Sequence, residues 1–185
     1  MKRLLVLSLL SCSIVMPMSV KAEGCPQNVN TLEALRMLNA FRAQARRCGT
    51  QWFEAAGPVH WSGQLQTSAQ RYAIELAQRD TLSHEGLQNH SLRDRLRQSG
   101  YPMRMGGENL SAGLATLPEV LSQWSGSPAH CDNLMDKRYE EVGLACVAGP
   151  GQYGYYWVLH LGVPLVMVPG LEMASGLNSA VALRH

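Results

Sequence analysis

The spacing of apolar residues changes once along this chain, and that change limits the folds available to it. Between residue 31 and Met135 apolar side chains recur every three or four residues, as Ala34 and Leu38 do, which is typical of amphipathic helices. After Met135 they alternate, and Val142 and Leu144 lie on one side of a predicted strand. Because helices come first and strands follow, the order predicts an α+β fold rather than alternating βαβ units.

Capping residues mark where the helices begin. The predicted caps are Asn30 with Glu33, Ser62, Ser91 with Asp94, and Thr116 with Glu119. The first helix is predicted to run to Cys48-Gly49, the second to end near Asp80, and the third to stop at Gly100. Two strands, one around Val142 and one from Tyr153 to Val163, are predicted to pair as an antiparallel hairpin.

The stretch from Trp124 to Met135 predicts a short helix with two different sides. Pro128 suits the first helical position, where its missing N–H costs nothing. Ser127 is then the N-cap, and its hydroxyl is expected to accept from the amide of His130. Cys131 follows directly and is expected to face away from His130, because adjacent helical residues do not share a face.

The first 22 residues are typical of a secretory signal peptide. A basic start and an apolar run from Leu4 to Val15 precede the small residues of Val20-Lys21-Ala22, so the mature chain is expected to begin at Glu23. A lipoprotein signal ending at Cys12 is the alternative, but the apolar run continues past that residue. The protein is therefore predicted to be exported, to the periplasm or the outside of the cell.

The charge of the mature chain does not favour nucleic acid as a partner. The 16 basic and 14 acidic residues include Lys2, Arg3 and Lys21 of the signal, so the mature chain keeps 13 basic residues against 14 acidic. No basic surface remains to suggest nucleic-acid binding.

Residues 165–185 are apolar but broken by Pro169 and Gly170, so they predict no membrane span. They are expected to form a loosely ordered tail after a single domain at 23–164.

Four of the five cysteines follow the signal, and an even count in an exported chain predicts two disulfides. Three connectivities are possible. We predict Cys25–Cys48, which would tie the N-terminal arm along the first helix, and Cys131–Cys146, which would join the short helix to the following strand.

Four short motifs occur in an order that resembles one known family. They are Ser83-His84-Glu85-Gly86, Gly107-Glu108-Asn109-Leu110, the stretch Trp124 to Met135, and Glu141-Val142-Gly143 followed by Tyr156-Trp157-Val158. Together they resemble the CAP superfamily of cysteine-rich secretory proteins, venom antigens and plant pathogenesis-related proteins, and more closely its bacterial exported SCP-like branch. The resemblance covers roughly residues 31–163.

That resemblance implies a three-layer α-β-α sandwich with a small antiparallel sheet and a central cavity lined by two histidines and two acids. His84 and His130 match the histidines, and Glu108 matches one acid. Ser127 stands at the position of the second acid, so the site departs from the family pattern there. The candidate cavity residues are therefore His84, Glu108, Ser127 and His130.

Two neutral imidazoles are good ligands for zinc, and a carboxylate can bind the ion or orient a ligand. His84, His130 and Glu108 form a partial set, which predicts weak, reversible binding of zinc or another divalent cation. The other polar residues have structural interpretations. His160 is predicted to be a hydrogen-bonded core residue, and Asn109 to tie the cavity loop to backbone groups.

The remaining histidines, His60 and His90, are predicted to lie at the surface or in turns, and Glu141 to make a strand-end hydrogen bond. A serine hydrolase lacks support, because Ser127 is explained as a cap and the chain has no Gly-x-Ser-x-Gly turn. Paired cysteines argue against a cysteine nucleophile. No residue can be named for a catalytic role.

The sequence therefore favours a binding or interaction module over an enzyme. Its expected partner is a small lipid, a peptide or a cell-envelope component, which rests on family analogy. The alternative is a metal-dependent hydrolase of peptide or envelope material, with Glu108 as the base for a metal-bound water.

Overall fold

The computed structural model describes residue 25, residues 29–165 and residues 182–185. The predicted signal peptide, residues 1–22, lies outside this part of the chain. The helices of the described residues are α1 (Thr31–Arg42), α2 (Gly63–Arg79), α3 (Leu92–Gln98), α4 (Leu117–Gly126) and α5 (Pro128–Met135), with a 3-10 turn at Leu87–Asn89. The strands are β1 (Arg46–Cys48), β2 (Gln51–Phe53), β3 (His60–Trp61), β4 (Met103–Ala112), β5 (Glu141–Ala148), β6 (Tyr155–Pro164) and β7 (Ala182–Arg184).

Five of these strands form one sheet, in the order β3-β5-β6-β4-β7. β5 and β6 make the predicted antiparallel hairpin, and β4 runs antiparallel to β6 on its other side. Short parallel strands close both edges, β3 beside β5 and β7 beside β4. β1 and β2 form a separate small hairpin.

Helices cover both faces of the sheet, as the α-β-α prediction requires. One face packs on α1, α4 and α5, with Trp124 and Trp157 in its apolar cluster. The other face packs on α2 and α3 in two smaller clusters. On that face α2 approaches β5 so closely that a Cβ on Gly143 would lie 2.0 Å from the backbone nitrogen of Gln66, so only glycine fits there.

The predicted helix starts are confirmed where a local capping pattern marks them. Asn30 accepts from the amide of Glu33 at 3.1 Å, and Ser62 accepts from that of Leu65 at 3.4 Å. Ser91 and Asp94 form a full capping box at the start of α3. These hydrogen bonds satisfy amides that the first helical turn leaves without an intrahelical partner.

The predicted end of the first helix is wrong. α1 stops at Arg42 instead of continuing to Cys48, and the chain turns into the β1–β2 hairpin. Arg42 is buried, and its guanidinium donates to the carbonyls of Gly57 at 2.9 Å and Leu134 at 2.7 Å. The last turn of α1 is thereby fixed by partners distant in sequence, which helical periodicity alone does not reveal.

The predicted disulfide pairing is also wrong. The bonds join Cys25 to Cys146 and Cys48 to Cys131. The β1–β2 hairpin brings Cys48 against α5, where Cys131 is fully buried, and Cys25 reaches the strand that carries Cys146. Both pairs therefore depend on contacts between layers, at sequence separations of 121 and 83 residues.

The C-terminal end of the described chain lies in the sheet. Ala182–Arg184 pairs in parallel with Met105–Gly107, although residues 182–185 belong to the segment expected to be a loose tail. Residues 166–181 of that segment lie outside the described residues. Among the helices described, none is long and apolar enough to cross a membrane.

Candidate functional site

The candidate site is built around Glu108 in the middle of β4. The Gly-Glu-Asn-Leu motif was expected in a cavity loop, but it forms part of a ten-residue strand. In the β4–β6 register Glu108 lies directly opposite His160. Its side chain is fully buried (0% exposed) on the face covered by α2 and α3. Glu108, named from the sequence as a candidate cavity residue, is therefore closed to solvent.

Three side chains surround the Glu108 carboxylate. Nδ1 of His84 lies 2.7 Å from Oε1, while Nη2 of Arg95 at 2.6 Å and Nε2 of His160 at 2.8 Å share Oε2. Burial alone would raise the pKa of Glu108. Hydrogen bonds from His160 and His84, helped by the Arg95 charge, more than offset it and lower the pKa of Glu108 to about 2. Glu108 is therefore a buried anion that is paired with the buried cation Arg95.

Arg95 is that cation, and it also organises the loop that carries His84. It projects from α3, is buried, and stacks over the ring of Tyr72 at 3.6 Å. Its Nη1 donates to the carbonyls of His84 at 3.2 Å and His90 at 2.9 Å. A single guanidinium therefore fixes both the carboxylate and the backbone of the loop beside it.

His160 is the hydrogen-bonded core residue that the sequence predicted. It is fully buried, and burial lowers its pKa against the opposing effect of Glu108. A neutral imidazole that donates Nε2–H to Glu108 suits this arrangement, because Arg95 already balances the carboxylate charge. His160 is a structural support for Glu108 with no exposed ring nitrogen.

His84 is the partner of Glu108 that reaches solvent. Its side chain is 33% exposed, and the hydroxyl of Tyr72 donates to the preceding carbonyl of Ser83. Since Nδ1 faces Glu108, the other ring nitrogen, Nε2, is directed away from the carboxylate. A histidine oriented in this way by a carboxylate is a common arrangement for a metal ligand.

His130 lies on α5 and is half-buried. Burial lowers the pKa of His130, and the charge of His84 lowers it further. Nδ1 of His130 is buried without a hydrogen-bond partner in the described structure. Among the predicted site residues, the structure thus joins His84 to Glu108 by contact, while His130 is not among the described residues whose ligand atoms cluster with theirs.

Asn109 holds the helix that carries His130. Its Nδ2 donates to the carbonyl of His130 at 3.0 Å, and its Oδ1 accepts from Asn133 at 2.9 Å. Asn133 donates in addition to the carbonyl of Glu108 at 3.2 Å. The predicted backbone-tying role of Asn109 is confirmed, although it acts from a strand and not from a loop.

Ser127 has a smaller role than predicted. It does occupy the N-cap of α5, where its carbonyl accepts from the amide of Cys131 at 2.8 Å, but its side chain makes no capping hydrogen bond. The expected hydroxyl contact with the amide of His130 is wrong. The backbone between α4 and α5 turns within one residue, and Ser127 ends one helix as it begins the next.

His185 joins the site from the end of the chain. Its ring centroid lies 4.8 Å from that of His84, and one ligand atom from each of His84, Glu108 and His185 lies within 4.8 Å of the others. Neither His185 nor Arg95 was predicted as a site residue from the sequence. No local pattern marks either, since Arg95 falls within an ordinary helical stripe and His185 follows a weakly patterned segment.

Comparison with known proteins agrees with the fold. A family model described as CAP, the cysteine-rich secretory protein family, matches residues 35–161. A search of curated proteins gives no match.

Two solved bacterial structures are similar to the described chain. An extracellular protein of Bacillus anthracis str. Ames that contains an SCP domain superposes with a TM-score of 0.60 at 19% identity, over 74% of this chain and 41% of that one. An outer surface protein of Borrelia burgdorferi gives a TM-score of 0.55 at 19% identity, over 74% of this chain and 97% of that one. The chain thus spans less than half of the Bacillus protein and nearly all of the Borrelia protein.

Proposed function

The chain belongs to the CAP family of cysteine-rich secretory proteins, and from that premise we propose that it is an exported binding module that takes up a divalent cation at His84 and His130. Zinc is the cation that this donor set suits best, because imidazole nitrogens are among its preferred ligands.

The observation that carries the proposal is the 2.7 Å contact between Nδ1 of His84 and Glu108. It fixes the tautomer with the proton on Nδ1, so the lone pair of Nε2 is available to an ion. The same contact gives His84 and Glu108 different roles. His84 offers the donor atom, while Glu108, whose oxygens are engaged by His84, Arg95 and His160, orients it.

The donor chemistry at His130 fits the same ion. Its lowered pKa keeps the imidazole neutral near pH 7, the form that binds metal. Its orphaned Nδ1 shows that this ring has hydrogen-bonding capacity that the described residues do not use. When bound, zinc would act as a Lewis acid; two histidines leave further coordination positions to other donors, which suits reversible uptake.

The alternative function, a metal-dependent hydrolase, requires a general base beside the ion. Glu108 suits that role poorly, because its carboxylate is fully buried, engaged by three hydrogen bonds and held at a pKa of about 2. A base of that pKa gains little from taking a proton near neutral pH. Binding without hydrolysis therefore agrees better with this site.

Export is supported by the two disulfides, since such bonds persist in oxidising compartments. The organic partner remains the small lipid, peptide or cell-envelope component that family analogy suggests. A groove between α1 and α4, lined by Met37, Leu117 and Trp157 among others, has a volume of about 170 Å³. This is smaller than the roughly 300–1,000 Å³ of sites that enclose a small organic molecule.

Calorimetric titration of zinc into the purified protein tests the metal proposal. We expect His84→Ala and His130→Ala each to weaken binding at least about tenfold, the effect of losing a donor. His60→Ala is the matched control, because His60 is exposed on β3 at the opposite edge of the sheet. No uptake by the parent protein, or equal affinities of the His84 and His60 variants, would contradict the proposal.

A hydrolysis assay separates the two functions. We expect no cleavage of peptide or peptidoglycan substrates by the zinc-loaded protein. Cleavage that a chelator abolishes, that zinc restores and that His84→Ala removes would instead establish the hydrolase.

A further inference from the structure

We propose that His185 is a third imidazole ligand of the cation, so that the bound ion fastens strand β7 to the edge of β4. This inference rests on the proposed metal site and adds to it both a ligand and a structural consequence. It concerns residues 182–185, which the structure describes.

The backbone of β7 and the side chains of residues 184 and 185 make few contacts that the structure describes. Its pairing with β4 involves three residues on each strand, Ala182–Arg184 against Met105–Gly107. One ion pair adds to this, between Nε of Arg184 and Oδ2 of Asp136 at 3.6 Å, and the Arg184 side chain is 43% exposed. A pair at this distance, with its guanidinium largely open to solvent, stabilises a structure little, and a three-residue strand is short. A further contact from His185 would strengthen the docking of this strand.

His185 stands where that further contact can form. Its ring lies 4.8 Å from the ring of His84, and donor atoms of the two residues fall within 4.8 Å of each other. Two nitrogens bound to one zinc ion at about 2.0–2.1 Å can be at most about 4.2 Å apart. The two rings are therefore close to a shared-ligand geometry, and a small rotation of either side chain completes it.

The chemistry of the neighbourhood favours an imidazole as the third donor. Ser127 stands where the family pattern has its second acid, so α5 supplies His130 without that carboxylate. Glu108 is buried and committed to His84, Arg95 and His160, so it orients His84 and does not bind the ion. His185 approaches from a different element, and its exposed side is open to solvent. Together with His84 and the proposed ligand His130 it would make a three-histidine set with one free position.

An open pocket lies beside His185, on the side that faces α5. It is lined by Ala129, Asp132, Asn133, Arg184 and His185 and has a volume of about 260 Å³. Oδ1 of Asp132 is buried there without a hydrogen-bond partner among the described residues. The pocket thus presents an acceptor toward which a metal-bound water could donate.

If one ion holds segments about 100 residues apart in sequence, ion binding and strand docking must favour each other equally. Zinc should stabilise β7 on β4, and loss of His185 should weaken zinc binding. The two coupled events can be measured separately. Zinc affinity shows whether His185 is a ligand, and amide hydrogen exchange shows whether β7 is docked on β4.

The test uses zinc alone as the probe and the purified protein with its His185→Ala and His60→Ala variants. We expect His185→Ala to lower zinc affinity about tenfold or more and His60→Ala to leave it unchanged. In the parent protein, zinc should slow amide exchange of residues 182–185 at least about tenfold, and a chelator should reverse this. In His185→Ala the same amides should exchange equally fast with and without zinc.

Two results would overturn the inference. If zinc binds in a manner that depends on His84 and His130, but His185→Ala binds it as tightly as the parent, the metal site stands and the role of His185 is refuted. If zinc does not bind the parent at all, the proposed function fails as well. His185 is exposed, so the variant is expected to fold, and an unchanged melting temperature without zinc provides the check.

Discussion

The two faces of the sheet are held to their helices by different kinds of interaction. The face under α1, α4 and α5 carries the largest apolar cluster, and both disulfides join elements on that side. The face under α2 and α3 has smaller apolar clusters and contains the buried network of Glu108, Arg95 and His160. Covalent bonds and apolar burial fix the first face, whereas charge-assisted hydrogen bonds fix the second.

The difference shows where this fold can support a polar site. A buried carboxylate is tolerated only when its desolvation is offset by a cation and by hydrogen bonds. The α2–α3 face supplies these from Arg95, His84 and His160, and it leaves one of them, His84, open to solvent. On the disulfide-bonded face, the Cys48–Cys131 bond keeps α5, the helix that carries His130, in place.

Removal of a disulfide should have the largest effect. The Cys48→Ala/Cys131→Ala variant opens a loop of 83 residues, and the chain-entropy model predicts a loss of about 4.5 kcal/mol in the free energy of unfolding. Urea denaturation measures it. Peptide mapping without reductant should show Cys25–Cys146 intact in this variant. A loss below about 1 kcal/mol would mean that apolar burial alone fixes this face.

Removal of the buried cation should cost somewhat less. Arg95→Leu leaves the Glu108 carboxylate without its cation, for which about 3–5 kcal/mol is typical. The double variant Arg95→Leu/Glu108→Leu should recover much of that loss, because no uncompensated charge remains. Arg36→Leu, at an exposed position of α1, is the control and should change stability by less than about 0.5 kcal/mol. Equal losses in the single and double variants would contradict the ionic interpretation.

Acid should destabilise the two faces unequally. The pKa of Glu108 is lowered from 4.5 to about 2 in the folded state, so its stabilising contribution is present above pH 4.5 and is lost as pH falls toward 2. The expected loss is about 3 kcal/mol. Urea denaturation across this range should show it in the parent and in the disulfide variant, and Glu108→Gln should lack it. Burial also lowers the pKa of His160, which adds a loss as pH falls below about 6.5.

The smallest expected effect concerns two serines at helix starts. Ser91→Ala should cost about 1 kcal/mol, because the hydroxyl of Ser91 accepts from the amide of Asp94 in a capping box. Ser127→Ala should stay within about 0.5 kcal/mol, since the side chain of Ser127 makes no such bond. Thermal denaturation of both variants makes the comparison, and equal losses would restore a capping role for Ser127.

Features encoded within a few residues could be predicted from the sequence. Helix starts at Asn30, Ser62 and Ser91 depend on contacts three residues away, and the β5–β6 hairpin depends on a turn and on alternation. The family motifs add His84, Glu108 and His130 as candidate site residues.

Features that depend on distant partners could not be predicted. β4 carries two glycines, a glutamate and an asparagine in its interior, and this composition argues against a strand. The strand is nevertheless buried, because side chains from other elements donate hydrogen bonds to its backbone carbonyls. No sequence pattern marks Arg95, because its role is to pair with the carboxylate of Glu108 on another element. The predicted disulfide pairing was wrong for the same reason. The bonds join cysteines 121 and 83 residues apart, and separation along the chain does not indicate distance in the folded protein.

The disulfide map also has a consequence for how the protein is made. If the protein is exported as proposed, its cysteines emerge in the order Cys25, Cys48, Cys131, Cys146, and pairing in order of emergence would join the first to the second and the third to the fourth. The native bonds instead join first to fourth and second to third. Cys25 must therefore stay reduced until the last strands have been exported, or exchange out of an early partner. Secretion of this protein should accordingly depend on a thiol–disulfide isomerase as well as on an oxidase.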